Sequence, residues 1–118
     1  MQFRNEKAIY IQITEFVMEK ILKGAWYADQ KIPSVRDLGG ELEVNPNTVM
    51  RAYEILQQQG IIYNKRGLGY FVAEGAKTSI TDLKKKQFMD IDLPQFFNTI
   101  NLLGISMDEI NLYYQKQQ

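Results

Sequence analysis

Apolar residues recur at helical spacing over residues 8–23, with charged residues between them. This pattern predicts an amphipathic helix that buries one face. Ser34 is suited to cap a short second helix. Asn45 and Pro46 are suited to the N-cap and first position of a third helix, because a proline needs no amide partner there. The chain up to residue 60 therefore predicts three helices, with a tight turn between the second and the third.

A β-hairpin is predicted after the third helix. Two short runs rich in Ile, Tyr, Phe and Val flank the segment Lys65–Gly69, which contains two glycines. Such runs on either side of a glycine-containing tip favour a hairpin. Three helices followed by a hairpin is the element order of a winged helix-turn-helix. We therefore predict a mainly α fold with a small β-hairpin, in which residues 1–75 form the winged helix-turn-helix domain.

Residues 76–118, called the tail below, predict a short all-α segment. Residues 75–78 are predicted to form a hinge into it. The start signals of three short helices are Ser79 with Asp82, Pro94, and Ser106 with Glu109. The last pair is a full capping box. About 40 residues in three short helices cannot build a comfortable core of their own.

The tail is richer in aromatic and large aliphatic residues than a monomer of its size needs. A dimer interface is the favoured interpretation. A ligand pocket is the alternative, but no polar groups converge to define one. The candidate dimerisation residues are Phe88, Phe96, Phe97, Ile100, Leu103, Ile110, Tyr113 and Tyr114.

The composition excludes several kinds of chemistry. The 118 residues include no cysteine and no histidine. Disulfides, thiolate metal sites and cysteine nucleophiles are therefore excluded, and the commonest general base and metal ligand is absent. We expect a protein that is not an enzyme and that has neither a cofactor nor a metal site.

The charge balance gives no sign of a nucleic-acid partner. The chain has fourteen basic and fourteen acidic residues, with nine of each in residues 1–75 and five of each in the tail. Any DNA-binding interpretation must therefore rest on the local placement of charges. The first ten residues lack the layout of a signal peptide, and no apolar run approaches membrane-span length. We expect a cytoplasmic protein without a membrane partner.

Four linked sequence blocks carry a resemblance to a known family. They are IYIQI at 9–13, KIPSVRDL at 31–38, VNPNTVMRAYEIL at 44–56 and RGLGYFV at 66–72. They resemble the DNA-binding domain of GntR-type bacterial repressors, and the short tail is similar to that of the YtrA-like subfamily. The resemblance implies a homodimeric transcription factor that binds double-stranded DNA and dimerises through its tail, often as a repressor.

The third helix is the candidate recognition helix. Asparagine can read adenine and arginine can read guanine, and a helix amino end attracts phosphate. Its candidate DNA-binding residues are Asn45, Asn47, Thr48 and Arg51. For Asn45 and Thr48 a purely structural role in the cap and the turn is an equal alternative. For Asn47 and Arg51 the turn-helix context favours contact with DNA.

Further candidates lie in the second helix and at the hairpin tip. The resemblance implies that Arg36, in its PSxR block, contacts DNA; the alternative is an intramolecular ion pair with a nearby carboxylate. Lys65 and Arg66 can meet phosphate or enter a minor groove, and Gly67 permits close backbone approach. Hairpin tips are also often charged for solubility alone.

Two features favour other interpretations or depart from the family pattern. A winged helix used only as a protein-interaction module is the alternative function, although it has no reason to keep a basic tip together with Asn47 and Arg51.

Gly39 and Gly40 stand where the family prefers better helix formers, and each costs up to about 1 kcal/mol of helix stability relative to alanine. Alanine at either position is therefore expected to raise stability. The sequence does not identify a small-molecule effector.

Overall fold

The computed structural model describes residues 7–118, so most of the amino-terminal stretch that argued against a signal peptide lies outside the described residues. The chain is mainly helical with one hairpin. In order, the elements are α1 Ile9–Leu22, α2 Val35–Leu42, α3 Pro46–Gln58, β1 Ile62–Lys65, β2 Gly69–Val72, α4 Ala76–Gln87, a π-helical segment Phe88–Asp92, α5 Leu93–Leu103 and α6 Met107–Lys116. This is the predicted fold class.

The chain divides into two compact units. The described residues through Asp82 form the first, and Leu83–Gln118 form the second. The boundary falls within α4, and the assignment of DNA binding and dimerisation to residues 1–75 and 76–118 stays a prediction. In the part of the chain that the structure describes, none of the helices has the length and apolar character needed to cross a membrane.

The core of the first unit is formed where α3 packs against α1 and α2. Ile13 and Val17 of α1, Leu38 of α2, and Val49 and Tyr53 of α3 are fully buried. These are positions that the helical spacing of apolar residues predicts to face inward. This packing holds α3 by its buried face and leaves the opposite face of the helix exposed to solvent.

Side-chain caps begin both α2 and α3, as predicted. The Asp37 amide donates to Ser34 Oγ at 3.0 Å, and the Asn47 amide donates to Asn45 Oδ1 at 2.8 Å. Each cap satisfies an amide that has no partner within its helix. Glu43 has a φ of 58°, a left-handed conformation that ends α2 and redirects the chain into α3.

The β1–β2 hairpin, called the wing below, is antiparallel and pairs Ile62 with Val72 and Lys65 with Gly69. The predicted loop before α2 is tied to it. The Ile32 amide donates to the Tyr70 carbonyl at 2.9 Å, and Lys31 forms a bridge with Phe71. This segment therefore pairs with the free edge of β2.

The predicted start of the tail is wrong. Helix α4 begins at Ala76, so residues 76–78 are not a hinge and Ser79 is not a cap. The Ser79 amide donates to the Gly75 carbonyl at 3.0 Å. Ala76 and Ile80, one turn apart, are both buried. Burial of this face, and not the predicted cap at Ser79, therefore determines where the helix begins.

Pro94 does not begin a separate helix out of a loop. Gln87, Asp92 and Leu93 all have right-handed helical backbone angles, so the helical path continues from α4 into α5. A proline removes one amide donor and clashes with the carbonyl four residues earlier, which here belongs to Asp90. The wider π-helical turn at that point accommodates this clash. Gly104 ends α5. The predicted cap of the last helix is confirmed, because Ser106 Oγ accepts from the Glu109 amide at 3.2 Å.

Candidate nucleic-acid interface

The outer face of α3 carries polar side chains at its amino-terminal end. Asn47 and Arg51 are exposed and, four residues apart, lie on one face of the helix. Asn45 is exposed as well, and its Oδ1 accepts the hydrogen bond of the cap from the Asn47 amide. Thr48, in contrast, is half-buried and offers less of its side chain to solvent. The structure thus brings three of the four predicted side chains of α3 to an open helix end.

Arg51 is held by an aromatic ring from another helix. Its guanidinium carbon lies 3.8 Å from the ring centroid of Tyr10, in the first turn of α1. Tyr10 is half-buried. Its helical position and its type fit a residue of the core, so the sequence does not mark it as part of an interface. No signal in the sequence indicates the contact, since it depends on how α1 packs against α3.

Arg36 is exposed in the first turn of α2. The ion pairs found among residues 7–118 do not include it. The alternative prediction, an ion pair with Asp37 or Glu41, therefore does not describe this conformation. Arg36 is therefore open to solvent at the amino-terminal end of α2.

The tip of the wing is exposed and basic. Lys65, Arg66 and Gly67 are all exposed. Gly67 has a φ of 79°, a conformation in which a side chain is strained. The Lys65 ammonium group lies 5.2 Å from the centroid of the Phe71 ring, which holds the lysine along the wing.

Lys31 is a further cation of the wing that sequence reasoning missed. A Cβ atom on Gly69 would lie 3.1 Å from Lys31 Cε, so the lysine side chain crosses β2 where that strand has no side chain. Gly69 faces Lys65 in the hairpin register. Lys31 precedes the predicted second helix in the block KIPSVRDL, but nothing there indicates that it joins the wing. Lys31, although outside the hairpin in sequence, therefore adds a third cation to the wing that carries Lys65 and Arg66.

Burial and hydrogen bonding perturb two tyrosines behind this surface. Burial raises the pKa of Tyr53, and its hydroxyl donates to the Pro33 carbonyl at 2.7 Å. The hydrogen bond from Tyr63 to Asp29, 2.8 Å long, raises the pKa of Tyr63. Both contacts link the segment before α2 to the rest of the unit. Within residues 7–118, no group of three or more acidic side chains could hold a metal ion.

Comparison with known proteins identifies the family. The family described as bacterial regulatory proteins, gntR family, matches residues 9–72, more than half of the chain. This chain belongs to the GntR family. The matched range spans α1 to β2 and contains all the side chains described above. The protein is therefore a transcriptional regulator of the GntR family with a DNA-binding winged helix.

Individual relatives of this GntR-family protein cover almost its whole length. The transcriptional repressor YtrA of Bacillus subtilis is 34% identical over 108 residues, which cover 92% of this chain and 82% of YtrA. The solved structure of a GntR-family protein from Bacteroides thetaiotaomicron is 49% identical, with a TM-score of 0.78. That match covers 94% of this chain and 100% of the other. The similarity therefore extends into the tail.

A third match is to a DNA complex. The DNA-binding domain of AraR, solved in complex with an operator, is 33% identical, with a TM-score of 0.56. It covers 62% of this chain and 86% of the AraR chain. The likeness therefore concerns the winged helix of this GntR-family protein.

The predicted dimerisation residues of the tail differ in exposure. Ile100 is only 5% exposed and Ile110 is half-buried, so neither offers much free surface. The exposed members are Phe88, Phe96, Phe97, Leu103, Tyr113 and Tyr114. Of the fifteen large hydrophobic residues exposed among residues 7–118, eleven lie in the second unit.

Proposed function

We propose that this GntR-family protein is a repressor that binds, as a homodimer, to an operator made of two half-sites related by two-fold symmetry. The observation that carries the proposal is the combination of an open, polar helix end and a basic wing in one compact unit. Asn47 and Arg51 supply base-reading chemistry, and the wing supplies cations for phosphate. The protein would act in the cytoplasm, on chromosomal DNA.

In this proposal α3 lies in the major groove. Asn47 and Arg51 read base edges, while Arg36 and the amino end of α3 fix the register on phosphates. The wing lies in or beside the minor groove, where Lys65 and Arg66 meet its negative potential. Binding blocks access of the transcription machinery to the site.

The names of two relatives support this proposal. YtrA is described as a transcriptional repressor, and its similarity to this chain continues beyond the winged helix. AraR binds an operator through a domain similar to residues of the first unit. The name of YtrA supports repression and the AraR complex supports operator binding, and neither identifies the operator of this protein.

The tail supports the homodimer. Exposed hydrophobic residues concentrated in one small unit are costly in water and mark an interaction surface. Two copies of the chain would cover each other's exposed residues with the same patch, as two-fold symmetry requires. A dimer would also place two recognition helices on two half-sites.

The first test is selection of a binding site. A duplex would be selected from a random library with the full-length protein, and its affinity compared with that of a scrambled duplex at one fixed salt concentration. We expect the selected site to have two-fold symmetry and to bind at least about 10³-fold more tightly. Equal affinity for both duplexes would contradict the proposal and favour a protein-interaction module.

The second test concerns the dimer. Leu103→Glu and Tyr113→Glu place a charge on residues that are 67% and 68% exposed, so neither change should unfold the monomer. We expect both variants to sediment as monomers and to lose affinity for the selected duplex. Tyr27→Glu, at a tyrosine that is 66% exposed in the first unit, is the matched control and should remain dimeric. Dimers for all three variants would contradict an interface built from these residues.

A further inference from the structure

We infer that Tyr10 is a positioning residue, which holds Arg51 in the orientation that reads a base pair. The two side chains come from different helices, α1 and α3, and are 41 positions apart in the sequence. The guanidinium carbon of Arg51 lies over the Tyr10 ring, 3.8 Å from its centroid. The inference rests on the proposed function, because it gives Arg51 a role in reading DNA.

The geometry of stacking leaves the arginine able to bind. A guanidinium group is planar, and its five N–H donors point outward in that plane. An aromatic ring occupies one face of the plane and none of its edges. Arg51 can therefore stack on Tyr10 and still offer two parallel donors to a guanine edge. Stacking also removes rotamer freedom before DNA binds, which lowers the entropy cost of the contact.

Without the ring, Arg51 has a competing partner. Glu54 lies three residues further along α3 and is exposed. Charged side chains at this spacing are neighbours on a helix surface and can pair. In the part of the chain that the structure describes, no ion pair joins Arg51 to Glu54. The contact with Tyr10 thus keeps the arginine away from a carboxylate that would occupy its donors.

Tyr10 is itself held in place. It is half-buried in the first turn of α1, the helix whose Ile13 and Val17 are fully buried in the core of the unit. Helix α1 packs directly against α3. The ring is therefore a fixed platform, whereas the long side chain of Arg51, exposed on α3, would otherwise move freely in solvent.

The test compares Tyr10→Leu, Tyr10→Phe and Arg51→Ala in the full-length protein. The probes are the selected duplex, its single-base-pair variants and the scrambled duplex. Tyr10→Leu should reduce the preference for the selected duplex by about 4- to 25-fold, because each of two half-sites loses about 2- to 5-fold. The loss should fall on the base pairs at which Arg51→Ala also loses discrimination. Tyr10→Phe keeps the ring and should retain the preference.

Two additional variants keep the test decisive. Glu54→Gln in the Tyr10→Leu background should restore much of the preference, since it removes the competing carboxylate. If the leucine variant fails to fold, Tyr10→Met supplies a longer and more flexible apolar side chain without a π face. A purely structural role of Tyr10 would lower the melting temperature and would weaken binding to all duplexes equally.

The outcomes separate this inference from the proposed function. Full discrimination by Tyr10→Leu, together with lost discrimination by Arg51→Ala, overturns the positioning role and leaves base reading by Arg51 intact. Lost discrimination by Tyr10→Phe overturns it too, because the ring is still present. Full discrimination by Arg51→Ala shows that Arg51 reads no base, in which case both the role of Arg51 and that of Tyr10 are wrong.

Discussion

A Cβ atom on Gly39 would lie 3.0 Å from the backbone oxygen of Val44. The same Cβ would lie 3.4 Å from Pro46 Cα, so it meets the backbone on both sides of Asn45. The Val44 amide in turn donates to the Gly39 carbonyl at 2.9 Å, which fixes the two segments together. Gly39 therefore allows the close approach of α2 to the start of α3. This contact argues against the expectation that alanine at this position raises stability.

The neighbouring glycine gives a matched comparison. A Cβ on Gly40 would meet nothing within 4 Å, and Gly40 lies in the same helix interior. Gly40→Ala should therefore raise the free energy of unfolding by about 0.5–1 kcal/mol. Gly39→Ala should lower it by about 1–3 kcal/mol, since the backbone around it has little room to move. Urea denaturation of both variants is the measurement, and equal gains in stability would show that the turn yields easily.

The cap of the recognition helix can be separated from DNA contact at one residue. Asn45→Ala removes the acceptor for the Asn47 amide and should cost about 1 kcal/mol of stability. Asn45→Ser restores an acceptor and should restore stability. The serine lacks the amide group that could donate to phosphate, so it should still weaken binding of the selected duplex by about 0.5–1.5 kcal/mol. Wild-type affinity of a stable Asn45→Ser variant would show that Asn45 acts only as a cap.

Local signals in the sequence were sufficient where a few adjacent residues decide the structure. The caps at Ser34, Asn45 and Ser106 are confirmed because each side chain binds an amide two or three positions away. Gly60 and Gly104 act as locally in the structure, since each takes a positive φ at a helix end. These signals established the order of elements, and with it the winged helix.

Where packing between distant segments determines the structure, the sequence was not sufficient to predict it. The start of α4 depends on burial of Ala76 and Ile80, which no cap signal records. The contact of Lys31 with Gly69 depends on the edge of β2 being free to pair. Within the candidate interface, the residue types of α3 and the wing were therefore predictable, whereas the contacts that hold them were not.

The buried hydroxyl of Tyr53 gives a prediction for alkaline pH. Burial raises the pKa of Tyr53 in the folded state, whereas in the unfolded chain it ionises near pH 10. Above about pH 10 the unfolded chain therefore binds fewer protons than the folded one, so stability falls as pH rises. Tyr53→Phe removes this contribution and should flatten the decline between about pH 9 and pH 11.

The same substitution has a cost at neutral pH. It removes the hydrogen bond to the Pro33 carbonyl and should lower stability by about 0.5–1.5 kcal/mol at pH 8. Urea denaturation across the pH range measures both effects. Tyr63, whose pKa the Asp29 hydrogen bond raises, contributes to the decline as well, so Tyr63→Phe is the comparison variant. An unchanged pH slope in Tyr53→Phe would show that Tyr53 is not a source of it.

Two kinds of DNA contact should separate by their dependence on salt. Arg66→Ala and Lys31→Ala each remove a cation of the wing from both subunits of the proposed dimer. If each cation neutralises one phosphate, the slope of log affinity against log salt concentration should become shallower by about two. The selected and scrambled duplexes should lose affinity alike. Lys85→Gln, which removes an exposed cation of α4 outside the wing, should leave the slope unchanged.

Asn47→Ala should behave in the opposite way, because a base contact carries sequence information and no net charge. Its loss should cost the selected duplex roughly 1–3 kcal/mol per half-site and should leave both the scrambled duplex and the salt slope nearly unchanged. The measurement is a salt titration of each variant on both duplexes. Equal losses on the two duplexes would mean that Asn47 contacts phosphate or supports the fold, and base reading would then fall to Arg51 or Arg36. Unchanged slopes for Lys31→Ala alone would remove that lysine from the interface and leave Lys65 and Arg66 as the cations that the wing offers to DNA.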